Sequence, residues 1–152
     1  MNLLTIADGL AARFAPGVVT PPSGLKNITA ATSRPPNNLP NTPFVIAWPV
    51  RGDITIPPGV REGEHTFEVI FYYAKAEADT PRQYVALMSW LGILLAQLDG
   101  AMQLGVVPST WYVKKAEIMS WEIGVHVYAG DTYEGITLTV HVWTVDSVTL
   151  VP

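Results

Sequence analysis

The sequence predicts an α+β domain, a mostly antiparallel four- to five-stranded sheet packed against one long and one short helix, with a long proline-rich loop. Three observations point there. Apolar and polar residues alternate with period two from His65 to Ala76 and again between Trp111 and Val145. The stretch YVALMSWLGILLAQL, Tyr84 to Leu98, is apolar at helical spacing. Seven prolines fall between Pro16 and Pro43, where they exclude regular helix and a central strand. The length of 152 residues suits one domain, so 1–152 is predicted as a single unit with 16–43 as an extended loop within it.

The elements follow in order. Leu3, Ile6, Leu10 and Phe14 sit at helical spacing, with Asn2 placed to cap the helix and Pro16-Gly17 to stop it. The proline-rich loop is long for a compact domain, and it is expected to be mobile until bound or to wrap a neighbouring subunit. Phe44 to Trp48 reads as a strand that resumes at Asp53 to Ile56, and PPGVREGE, Pro57 to Glu64, reads as the loop of a hairpin into His65 to Ala76. Asp79-Thr80-Pro81 is a helix start, with a capping side chain before proline in the first turn. That helix is predicted from Pro81 to Leu104, burying Tyr84, Leu87, Met88, Leu91, Leu94, Leu95, Leu98 and Met102. Trp90 and Ile93 fall off this stripe, so a second apolar side is left for another subunit or for more of the same domain.

The last third predicts a closing hairpin, Trp111 to Tyr128 and Ile136 to Val145, joined through AGDTYEG. Trp121, Ile123, Val125 and Val127 match Ile136, Leu138, Val140 and Val142 on the core face. Ser120, Glu122, Gly124, His126 and Tyr128 share the other face with Thr137, Thr139, His141 and Trp143. Pairing the apolar faces places His126 opposite either His141 or Thr139.

Composition narrows the function. With nine Lys+Arg against thirteen Asp+Glu the formal charge is −4, the wrong sign for holding a polyanion. Charged residues make up 14% of the chain and apolar ones 49%, against about 25% charged in an average domain. So few charges leave apolar surface that association would bury; the alternative is a compact monomer with a weakly charged exterior. Cysteine is absent, which removes disulfides, thiolate nucleophiles and Cys-ligated zinc. No basic region precedes Leu3 and Leu4, so no secretory signal is read, and Tyr84 to Leu98 is shorter than the roughly 20 residues that span a bilayer.

No chemistry-bearing pattern identifies an enzyme. Two histidines on a hairpin are half of a closed metal site, even with Glu122 on the same strand, and His65 lies on another hairpin. Neither a nucleophile elbow nor a phosphate-binding glycine loop occurs, and Glu62 with Glu64 or Asp131 with Glu134 read as solvated loop charges. Arg51-Gly52-Asp53 is treated as chance. No catalytic residue, metal or cofactor is therefore predicted. Aromatic residues and exposed tips are the better candidates, as anchors of protein interfaces. They are Trp90 and Trp143, with Pro57, Pro58, Arg61 and Glu62 on one loop and Asp131 and Tyr133 on another; Trp121 is assigned to the core.

The order of pieces carries a resemblance. A short N-terminal helix and proline loop precede LPNTPFVIAWP, Leu39 to Pro49; then come HTFEVIFYY, a helix opened by DTPRQY, and a closing hairpin. This layout resembles the tail terminator, or tail-completion, proteins of long-tailed bacteriophages. The resemblance rests on an LP-x-x-P strand start at Leu39 to Pro43, an aromatic-proline step at Trp48-Pro49, and H-x-F at His65 to Phe67. It implies a structural virion protein of the tail and neck, made in the host cytoplasm. Such a protein forms a hexameric ring that caps the tail tube and docks to the head connector or stopper, letting DNA pass without specific binding. It implies no catalysis, metal or cofactor. The alternatives are another neck protein, for head completion or as a stopper, and a monomeric ligand-binding module.

Overall fold

The computed structural model describes residues 1–76, 80–100, 103–106 and 109–147. The first helix, α1 (Leu3–Arg13), starts where Asn2 Oδ1 accepts the Leu4 N–H at 2.9 Å and the Thr5 N–H at 3.4 Å. Its buried side is Ile6, Ala7, Leu10 and Ala11, extended by Phe14 at the C-cap. The proline-rich segment, expected as a loop mobile until bound or wrapped along a neighbour, is packed here against its own chain. Val19 and Ile28 enter the main core, and Leu39 packs against a second cluster. Asn27 Nδ2 donates to the Pro16 carbonyl, Thr29 Oγ1 to the Pro43 carbonyl, and the Tyr128 hydroxyl to the Pro36 carbonyl. Prolines remove donors, so side chains supply the bonds that hold the segment.

Inside this segment β1 (Ala30–Thr32) runs parallel to β2 (Phe44–Thr55), which pairs antiparallel with β3 (Val60–Lys75). Strand β2 is continuous where two pieces were expected, because a register shift between Pro49 and Arg51 absorbs the proline without ending the ladder. Pro49 is tolerated because β1 pairs only as far as Ile46, leaving the outer side of β2 free beyond it. Residues 56 to 59 make the turn, so Arg61 and Glu62 lie in β3 and not in the expected loop.

The second helix, α2 (Thr80–Ala96), ends before the expected Leu104. Gly100, with φ +72°, lies in the tight turn that follows, a conformation glycine adopts without penalty. The buried stripe is Leu87, Trp90, Leu91 and Leu94, continued by Leu98 in the turn beyond, so Trp90 is core. Tyr84 and Met88 of the expected stripe are exposed, and Met102 lies outside the described residues.

The hairpin of β4 (Trp111–Tyr128) and β5 (Asp131–Ser147) completes a five-stranded sheet of order β1-β2-β3-β5-β4. Its turn is Ala129-Gly130 alone, φ +50° and +85°, the paired positive angles of a two-residue hairpin turn. The register therefore differs from both expected ones: His126 pairs with Tyr133 and His141 with Glu117. Eight strand positions separate the two imidazoles, about 27 Å at 3.4 Å per residue.

Both helices and the Phe14 to Ile28 segment cover one sheet face. Beneath them lie Val45, Ala47, Phe67, Val69, Phe71, Ile136, Leu138, Val140 and Val142. His65 belongs to this side too, 3.1 Å from Thr144 Oγ1, and a Cβ at Gly52 or Gly63 would collide with its ring. No helix among the described residues is long and apolar enough to cross a membrane.

Candidate interaction surface

The sheet face away from the helices carries the polar side of each alternating strand, except where Phe44, Ile46, Ile70, Tyr72 and Tyr133 form a second buried cluster against Leu39. At the end near the β4–β5 turn it is closed by Tyr72, Tyr128 and Tyr133, whose rings meet edge to face at 5.4 and 5.8 Å around Tyr72. Burial, aided by Tyr128 and Glu68, pushes the Tyr72 phenol up to about 12, so it stays a neutral donor. Toward the other end the face is polar and wet. His141 Nδ1 lies 2.8 Å from Glu64 Oε1, and the Lys115 ammonium sits 4.1 Å from the Trp143 ring centre. His126 is within 3.3 Å of Thr137 Oγ1, and burial lowers its pKa against the opposing pull of Glu122 and Glu68.

The predicted interface residues scatter. Trp143 is half-buried on the wet face and braced by Lys115. Pro57 and Pro58 form the β2–β3 tip, Glu62 is exposed beside it, and Arg61 lies 3.9 Å from Asp146. Asp131 flanks the opposite tip and pairs with Lys75 at 3.3 Å. Two corrections are needed. Trp90 is 0% exposed, packed 4.9 Å from Phe71, because α2 turns this side to the sheet. Tyr133 is 3% exposed, because the short turn draws it into β5 beneath Tyr72.

What sequence reasoning placed in the core, the structure leaves at the rim. Trp121 points to the helix side as expected, yet it is 50% exposed, and Val125 and Val127 more so at 61% and 73%. The cause is topology. Strand β4 is the edge of the sheet, and while Val113 and Ala116 of β4 join the core under α2, Trp121, Val125 and Val127 stay at its rim. Tyr84, Val85 and Met88 on the outer side of α2 are exposed as well. Between helix and strand runs an apolar cleft of about 130 Å³ lined by Tyr84, Leu87, Ile123, Gly124, Val125 and Glu134, with room for one or two side chains. Burial there pushes the Glu134 carboxyl up, and the Gln83 carboxamide faces it. A second apolar patch lies at the other edge, where Leu3, Val50 and Ile54 surround a hollow beside the free half of β2.

Edge strands that stay free are usually blunted by lysine, proline or bulges. In β4 the register shifts, Lys114 and Lys115 all fall before Ser120. From Ser120 to Tyr128 the edge carries none of these devices. Among the described residues no three His, Asp or Glu side chains converge as a metal cluster. No protein-family model matches the chain, and no curated protein matches it.

Proposed function

We propose that the chain is a structural ring-forming protein of a phage tail, a tail terminator that caps the tail tube and joins it to the head connector. The observation that carries this reading is the pair of apolar patches at opposite edges of one sheet, Trp121, Val125 and Val127 on β4 and Val50 and Ile54 on β2. Two different patches on opposite sides suit a heterologous contact, in which one surface of each copy meets the other surface of the next until the ring closes. A single self-complementary patch would suit a two-fold dimer instead.

The two hairpin tips add to this. The β2–β3 turn at 56 to 59 and the β4–β5 turn at Ala129-Gly130 project from opposite ends of the sheet. A ring of such subunits offers one tip to the tube and the other to the connector. The tail-terminator layout and the formal charge of −4 agree with a channel that DNA crosses without binding. The six-fold count comes from the resemblance. Electron microscopy of the purified protein mixed with tail tubes tests the reading: rings seated on tube ends are expected, and bare tubes beside a dispersed monomer would remove it.

A further inference from the structure

The free edges also define how copies join. We infer that the partner of the 121–125 stretch of β4 is the 47–52 stretch of β2 in a second copy, paired antiparallel so that the sheet runs on from subunit to subunit. This rests on the ring reading and names its interface.

Direction comes first. Three successive antiparallel pairings lead from β2 through β3 and β5 to β4, so β4 runs opposite to β2. A second copy set beside the first in the same orientation therefore brings β4 to β2 antiparallel, with helix-covered face beside helix-covered face.

Register comes next, from side-chain chemistry. With Trp121 opposite Gly52, both lie on the helix side, since Trp121 pairs with Leu138 and Gly52 with His65. The large indole then covers a position where, by clash with His65, no side chain fits. The same register puts Glu122 opposite Arg51, both on the open face and both exposed, where Glu122 would join the pair that Arg51 makes with Asp53 at 3.2 Å. Passing the irregularity at Val50, it sets Ile123 opposite Pro49, a rung to which the proline brings no N–H, then Gly124 opposite the exposed Trp48, and Val125 opposite Ala47. The ladder stops there because β1 already occupies Phe44 to Ile46. Large faces small twice, and anion faces cation once.

Geometry agrees. Within one subunit Trp121 is level with Ala47, through Leu138 and Val69, while Gly52 is level with Val142. The register thus slides each copy by four strand positions, about 14 Å, across four strand spacings of about 19 Å. The strands then incline at roughly 35° to the ring axis, within the 35–45° of closed sheets.

The absence of native cysteine makes the test clean. A chain carrying Arg51→Cys and Glu122→Cys, oxidised and run without reductant, is expected to give a ladder of covalent multimers ending at the size of the ring. Arg51→Cys with Glu117→Cys, out of register on the same face, is expected to give none. Cross-linking of Glu122→Cys alone would mean β4 meets β4, and overturns the proposal. Light scattering that shows the full ring while the 51/122 pair stays unlinked overturns this interface but leaves the ring reading standing. A chain that never assembles removes both.

Discussion

Replacing Trp90 separates core from interface most sharply. Its side chain is fully buried, stacked obliquely on Phe71 at 4.9 Å and surrounded by Leu87, Leu91 and Leu94. Trp90→Ala removes that contact and leaves a cavity, at a cost of about 3–5 kcal/mol. Against a total stability of about 5–15 kcal/mol this is a large share. At about 2–4 °C per kcal/mol for a chain of this size, the melting temperature should fall by roughly 6–20 °C. The indole Nε1 finds no hydrogen-bond partner among the described residues, and an orphaned donor costs about 1–3 kcal/mol. Trp90→Phe keeps the aromatic contact and deletes the orphan, so its loss should be less than half that of the alanine variant. Calorimetry or circular dichroism at fixed protein concentration measures both. An alanine variant that melts within about 2 °C of the parent, yet no longer associates, would refute the core assignment and return Trp90 to the surface.

Two further outcomes follow from buried titratable groups. Glu134→Gln removes a carboxylate whose folded pKa is raised by burial, so it should raise the melting temperature at pH 7.5. The gain should shrink as pH falls toward about 4.5, where glutamate itself becomes neutral; a variant less stable at pH 7.5 would mean the charge is compensated by a cation. Burial also lowers the pKa of His65 and His126, so the unfolded chain binds protons more readily than the folded one below about pH 6.5. Their contribution to stability is complete above that pH and is lost progressively as pH falls from there through their lower folded pKa values, which magnetic resonance of the imidazole protons checks. Midpoints above 6.5 would contradict the burial described.

The sequence disclosed what depends on local chemistry. The Asn2 cap, the bounds of β4 and the β2–β3 hairpin all follow from side chains within a few residues of each other. The α2 phase was harder. A helix apolar on several sides gives periodicity no unique direction, so Trp90 and Met88 exchanged places. The β4–β5 turn was obscured because Ala129 adopts a positive φ that alanine does not advertise. That error moved every cross-strand partner of His126. Trp121 shows the remaining gap. Alternation put it on the correct face, but its burial depends on sheet order and on how far α2 reaches, which are properties of the whole chain.

The association claim is tested most directly by the molar mass of the purified, untagged chain, measured by light scattering across a hundredfold range of concentration. Six copies of a 16.5 kDa chain amount to about 99 kDa, and a species of that mass, or a smaller one that reaches it when tail tubes are added, is the predicted result. A constant 16.5 kDa at every concentration, with and without tubes, would contradict it.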